Sequence, residues 1–196
     1  MDPMNIDPEQ ILDVDAHRKN DNYGKGDFLR RLMWILGKLL FRILPRFFYG
    51  LRNQLLRLYG ARIGKEVRIY PSVKIIFPWT LDIGDNVTIG DRVTLYGLGP
   101  IRIGAGTMVS QGVHFCAGTH DFAYANLPLL KPEIRIGKAV WICADCFVGP
   151  GIEVGDYCIL GARSVVVKSI PPLKIAAGNP ARPIKDRPIP EKGVYR

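Results

Sequence analysis

Between residues 63 and 171 the aliphatic side chains return every six positions, a spacing that fits neither one face of an α-helix nor the alternation of a long strand. The pattern is cleanest near its end. There Ile136, Ile142, Val148, Val154, Leu160 and Val166 are six apart, and Val140, Cys146, Ile152, Cys158 and Ser164 follow each by four. Upstream the same phase runs through Ile63, Ile69 and Ile75, then Ile83, Ile89 and Leu95, then Ile103, Val109 and Phe115. Aliphatics followed by Gly or a small polar residue suit short strands joined by tight turns, with glycine supplying backbone freedom. Three hexads make one triangular turn of a coil, and the count gives five turns: 63–80, 83–100, 103–120, 136–153 and 154–171. Stacked in parallel at about 4.8 Å per turn, they form a prism roughly 24 Å long.

The period stops for a long stretch once. Residues 121–135 fall out of phase, so they leave the coil as an excursion that begins immediately after Gly118-Thr119-His120. The 196 residues, 47% apolar and 23% charged, suit one sizeable globular domain with an appendage. All four cysteines (Cys116, Cys143, Cys146 and Cys158) lie inside the repeat, where other hexads carry Ala, Val, Gly or Ser. Small-residue packing accounts for them without disulfides. With no signal-peptide pattern at the start, this points to a reducing cytoplasm. Cys143-x-x-Cys146 is half of a zinc site with no second pair, so no metal is expected.

Charge divides the rest of the chain. Residues 1–17 carry five acids and no Lys or Arg, whereas Arg18 to Arg68 holds thirteen Lys or Arg against Asp21, Asp27 and Glu66, a net +10. Within that basic segment Phe28, Leu32, Ile35, Leu36, Leu39, Leu40 and Ile43 share one helical face, with Arg31, Lys38 and Arg42 opposite. This predicts an amphipathic helix over 27–44, started at Asp27 and stopped by Pro45. A second, shorter helix has Leu51, Leu55 and Leu58 inward, Arg52 and Arg57 outward, and Gly60 as its C-cap. The simpler reading has these helices cover the open end of the coil. A second reading rests their basic face on anionic lipid, through residues 27–60, at the inner face of a membrane. Charges interrupt the apolar run too often for a transmembrane span, and no groove-reading or stacking motif points to nucleic acid. The expected organisation is an acidic, loosely ordered arm (1–26), a basic helical cap (27–60), the coil domain (61–171) and a basic tail (172–196).

Several motifs appear in order: Arg57-Leu-Tyr-Gly-Ala-Arg-Ile-Gly, Cys116-Ala-Gly-Thr-His-Asp-Phe, Ile136-Gly-Lys-Ala-Val-Trp-Ile-Cys-Ala-Asp and Ala177-Gly-Asn-Pro-Ala-Arg. From Pro45 to Arg187 the chain resembles the hexapeptide-repeat acyltransferases, in particular the colanic-acid-type O-acetyltransferases beside the maltose, galactoside and nodulation-factor enzymes. The resemblance implies an all-β fold, a left-handed parallel β-helix of five coils with an N-terminal helical cap and one excursion loop. It also implies a homotrimer whose active sites need two subunits, acetyl-CoA as donor and a saccharide acceptor.

Moving an acetyl group from a thioester to a hydroxyl needs a base for the hydroxyl proton, a donor for the oxyanion and a proton for the leaving thiolate. An imidazole serves both proton steps. Of the three histidines, His17 lies in the acidic arm and His114 is mid-coil, while His120 stands where coil meets loop and matches the family's catalytic histidine. Asp121 has two readings: it orients the imidazole or touches the acceptor, or it turns away and shapes the loop. Phe122, Tyr124 and Asn126 are expected to line the acceptor. The oxyanion donor is expected among the backbone N–H groups of Trp141 to Ala144.

For coenzyme A the resemblance implies that Trp141 packs beside the pantetheine arm. It assigns Ala144 and Ala162 as small groove residues, Val167 and Lys168 near the nucleotide, and Arg182 and Lys185 at its phosphates. Val167 stands where the family often has Thr. Independently, Ala162 to Arg196 carries eight Lys or Arg against Asp186 and Glu191, a net +6 that favours a polyanionic ligand.

A γ-class carbonic anhydrase shares such a coil but needs three histidine ligands, and only His114 and His120 lie in this one. A serine O-acetyltransferase-like enzyme has a larger helical N-terminal domain. A non-catalytic hexapeptide scaffold would keep the coil and release no thiol from acetyl-CoA.

Overall fold

The computed structural model describes residues 11–20 and 22–189. Residues 61–178 form a left-handed parallel β-helix of triangular section, with three sheets of short strands as its faces. The first face stacks Arg62–Ile63, Leu81–Ile83, Ile101–Ile103, Ile134–Ile136 and Glu153–Val154 in register. The second begins at Arg68–Ile69 and the third at Lys74–Ile75, each repeating once per coil. The hexad residues are the inward side chains. Ile69, Ile89, Leu95, Phe115, Ile142, Leu160 and Val166 are wholly buried. Cys146, Cys158 and Ser164 fill the positions four residues on, also buried, with the Ser164 hydroxyl donating to Gly161 O at 2.6 Å.

The glycines after the aliphatics have a reason other than backbone freedom. A Cβ on Gly104 would lie 2.6 Å from the Gly137 carbonyl carbon of the next coil, so close stacking of backbones excludes it. The left-handed turn residues are mostly other types: Glu66, Asn86, Ala139 and Tyr157 at one corner, Arg92, Asp145 and Arg163 at another.

Among the described residues the N-terminal segment contains α1 (Val14–Lys19), α2 (Lys25–Ile43) and α3 (Tyr49–Leu58). Two are where the periodicity puts them, and their phase is corrected. Along the faces of the coil N–H groups donate to carbonyls of the following turn, as Gly64 N does to Ile83 O and Arg68 N to Val87 O, while left-handed corner residues donate back, as Asn86 N does to Lys65 O. The first turn therefore presents a row of carbonyls with no turn before it. Side chains supply the donors. Arg52 Nε reaches Ile69 O at 2.9 Å, Asn53 Nδ2 reaches Val67 O at 2.8 Å, Arg57 Nε reaches Ile63 O at 3.0 Å and Trp34 Nε1 reaches Ile75 O at 3.1 Å. Arg52 also donates to Leu44 O, Pro45 O and Arg46 O, holding the link between α2 and α3, and is completely buried.

Arg52 and Arg57 thus point to the coil, while Leu51 and Leu58 are exposed. In α2 the inward face is Trp34 and Phe41, with Gly37 between them against Tyr59. The broad apolar face, Phe28 to Ile43, looks away from the coil, with Leu36 and Ile43 each 67% exposed.

Past Pro171 the coil does not end. Lys174–Gly178 adds a further parallel strand to the second face, and Ala181–Asp186 folds back antiparallel across a turn at Asn179-Pro180, whose peptide is cis.

Candidate active site

The excursion leaves from the corner between the third and first faces. Its two ends, Thr119–His120 and Leu129–Leu130, pair antiparallel, so His120 lies at the base of a hairpin with Leu129 opposite. The tip is shaped from within. Asp121 N donates to Pro128 O at 3.0 Å, the Asp121 carboxylate accepts from Ala123 N at 3.0 Å, and Leu127 takes a left-handed φ of 44°. The Asp121 carboxylate thus shapes the loop as an Asx turn. His120 is exposed, and its Nδ1 lies 2.7 Å from Leu127 O. A carbonyl can only accept, so Nδ1 carries the proton and the Nε2 lone pair is left open.

The acidic arm brings a second imidazole to this place. Asp13 caps α1 by accepting from Ala16 N at 2.8 Å, which puts His17 in the last turn of that helix. The arm is tied to the loop by Asp13 N to Ala125 O at 2.9 Å and by Asn20 Nδ2 to Asn126 O at 2.8 Å. His17 Nδ1 contacts the same Asn126 O at 3.0 Å, and its ring meets the His120 ring edge-on at 5.1 Å and 71°. Sequence reasoning passed over His17, because a contact between segments about a hundred residues apart leaves no periodic trace. The Asp13 cap was its one local hint.

Of the three loop residues, Phe122 and Tyr124 are exposed at 91% and 60%. Asn126 is engaged with the arm through Nδ2 to Asn20 Oδ1 at 3.2 Å.

Trp141, Ala144 and Ala162 lie together, but at a different edge from His120. Trp141 is 41% exposed on the second face, its Nε1 donating to Ser110 Oγ at 3.2 Å. Ala144 and Ala162 occupy equivalent turns of successive coils at the corner between the second and third faces, tied by Arg163 N to Ala144 O at 2.8 Å. Trp141, Ile159, Ile175 and Lys185 align in register across the second face, and Arg182 pairs with Ala177 on the same hairpin. Val167 and Lys168 are exposed and follow the third face, so they belong to the corner from which the excursion leaves two coils earlier. The N–H groups of Trp141 and Cys143 are donated to Cys158 O and Leu160 O of the next coil, both at 2.9 Å. Ala144 has no backbone partner for its N–H among the described residues.

Comparison with known proteins bears on the fold and the family. Residues 133–168 match the bacterial transferase hexapeptide (six repeats) family. The chain is 45% identical over 157 residues to an Escherichia coli K12 protein described as a colanic acid biosynthesis acetyltransferase, WcaF, covering 80% of this chain and 86% of that one. It is 28% identical over 147 residues to the galactoside O-acetyltransferase of the same organism, covering 74% of this chain and 72% of the relative. Among solved structures, a galactoside acetyltransferase in complex with coenzyme A superimposes with a TM-score of 0.77 at 26% identity, over 85% of this chain and 84% of that one. A maltose O-acetyltransferase from Clostridium difficile 630 gives 0.76 at 26% identity, over 85% and 90%.

Proposed function

Because the chain belongs to the bacterial hexapeptide-repeat acetyltransferases, grouped with the colanic-acid-type enzyme, we propose that it moves an acetyl group from acetyl-CoA to a saccharide hydroxyl in polysaccharide biosynthesis. The observation that carries the reading is the His120 imidazole, anchored through Nδ1 to Leu127 O with Nε2 open at the base of the excursion.

In this mechanism Nε2 takes the hydroxyl proton as the sugar oxygen attacks the thioester carbonyl. The carbonyl π electrons move onto oxygen, and the Ala144 N–H, which has no backbone partner among the described residues, donates to that oxyanion. Collapse of the tetrahedral intermediate breaks the C–S bond, and the thiolate of coenzyme A takes the proton back from the imidazolium. Phe122 and Tyr124 face the acceptor. Trp141, Ala144 and Ala162 border the pantetheine groove. Val167 and Lys168 lie near the nucleotide, and Arg182 and Lys185 meet its phosphates.

His120 and the Trp141–Ala144 edge occupy different corners of one prism. A homotrimer, in which the corner of one copy adjoins the second face of the next, joins them into one site. The reaction's place is the cytoplasm, where acetyl-CoA is available and the four thiols stay reduced.

The test is thiol release from acetyl-CoA across a panel of saccharide acceptors, with His120→Ala alongside. The expected loss is about 10²- to 10⁴-fold in kcat. Unchanged activity in the variant overturns the mechanism, and a lack of release with every acceptor favours a non-catalytic scaffold.

A further inference from the structure

The outward face of α2 is the least expected surface of the molecule. Projected at 100° per residue, Phe28, Leu32, Ile35, Leu36, Leu39 and Ile43, widened by Leu29, Met33 and Leu40, span about 160° of the helix. All nine are more than half exposed. The arc lies opposite Trp34 and Phe41, which hold the helix to the coil. It runs into a groove between α2 and α3 lined by Leu40, Ile43, Leu44, Leu51, Leu55 and Leu58. Lys38 and Arg42 border one edge of the arc and Arg30 the other, all three exposed. From Phe28 to Lys65 there are nine Lys or Arg and no Asp or Glu. Arg52 and Arg57 are committed to coil carbonyls, so the cations at the rim of the arc remain available.

We propose that this face is a docking surface for an anionic lipid bilayer, with α2 lying in the plane of the headgroups. An apolar arc rimmed by cations is what such an interface accepts: the alkyl groups enter the acyl boundary while lysine and arginine stems reach back to the phosphates. No helix among the described residues is long and apolar enough to cross a membrane. The charge pattern selects lipid over a second copy of this chain. Two copies meeting through this face would bring cationic rims together with no acid in the segment to neutralise them, and the whole chain carries +9.

The surface also leads toward the candidate site. A cleft between α2 and the coil shares Phe28, Leu32 and Ile35 with the docking face and adds Arg31, Phe77 and Leu98. Leu98 packs so closely on Gly118, two residues before His120, that a Cβ there would fall 2.6 Å from its Cδ1. Docking therefore brings the mouth of the excursion to the headgroup layer. Resting on the proposed function, the acceptor is then a saccharide presented at the bilayer surface; the docking itself does not depend on that reading.

Flotation of the full chain with vesicles tests the docking without an activity readout. Binding is expected to phosphatidylcholine doped with phosphatidylglycerol and to be much weaker with phosphatidylcholine alone. Lys38→Gln with Arg42→Gln lowers the partition coefficient about thirtyfold. Leu36→Ser or Leu39→Ser each lowers it about tenfold or more, while Ile189→Ser, on an exposed residue elsewhere, leaves it unchanged. Light scattering shows the same mass for every variant. Absence of binding to anionic vesicles, or binding indifferent to these substitutions, overturns the proposal. A change of mass in the leucine variants overturns it in favour of an interface between copies.

Discussion

His17 and His120 stand about a hundred residues apart in the chain and meet ring edge to ring face, 5.1 Å apart, each with its Nδ1 on one of two successive carbonyls, Asn126 O and Leu127 O. A single stretch of loop backbone therefore orients both imidazoles. It sets both tautomers alike, with Nε2 open on each.

On the proposed mechanism the pairing would make His17 a positioning group for the acceptor end of the reaction. His17→Ala is expected to lower kcat/KM for the saccharide about tenfold to a hundredfold, the cost of a loosened catalytic geometry, and to leave KM for acetyl-CoA unchanged. Initial rates with each substrate varied in turn check this. A parallel change in KM for acetyl-CoA would mean that the arm merely supports the fold.

Arg52 fills the open end of the coil. Its guanidinium serves Ile69 O, Leu44 O, Pro45 O and Arg46 O from a fully buried position. Arg52→Leu keeps apolar bulk and abandons the carbonyls, of which Ile69 O is buried and the other three partly so; a buried acceptor left unmet costs about 1–3 kcal/mol. A stability loss on the order of 3 kcal/mol or more is expected in urea unfolding. Arg62→Leu, an exposed position paired at 3.5 Å with Asp82, is expected to change it by less than about 1 kcal/mol.

Two glycines separate close approach from helix propensity. Gly104→Ala forces a Cβ against the Gly137 backbone and is expected to cost about 1–3 kcal/mol. Gly26→Ala, near the start of α2 with nothing within 4 Å, is expected to stabilise by about 0.5–1 kcal/mol. Thermal melts of the two variants should move in opposite directions.

His114 makes the coil sensitive to acid. Burial, and then the nearby positive charge of Lys74, lower its pKa, and its ring stands against Phe147 and Tyr96. The unfolded chain then binds the proton more readily than the folded one. Stability is full above the ordinary histidine range near 6.5 and is lost as pH falls below it. His114→Phe retains flat ring contacts and removes the titration, so its stability should vary less between neutral pH and pH 5 in parallel unfolding titrations.

The coil was legible because its rule is local. A residue six positions on from an inward aliphatic is again inward, and Ile136, Ile142 and Val148 obey that rule without reference to anything distant. The break after His120 was legible for the same reason, as a failure of the period. The orientation of the helical cap was not. Hydrophobicity alone turned Leu51 and Leu58 inward and Arg52 outward, whereas the open edge of a coil needs hydrogen-bond donors before it needs apolar cover.

The sequence by itself determined the prism, its five repeating turns, the single long departure from them and the histidine at that departure, because all four follow from spacing between near neighbours. Tertiary structure decided which face of α2 meets the coil, which loop groups hold His120, and that His17 stands beside it. Those outcomes depend on carbonyls and rings that meet only when separate segments of the chain are folded together, and no periodicity records such a meeting.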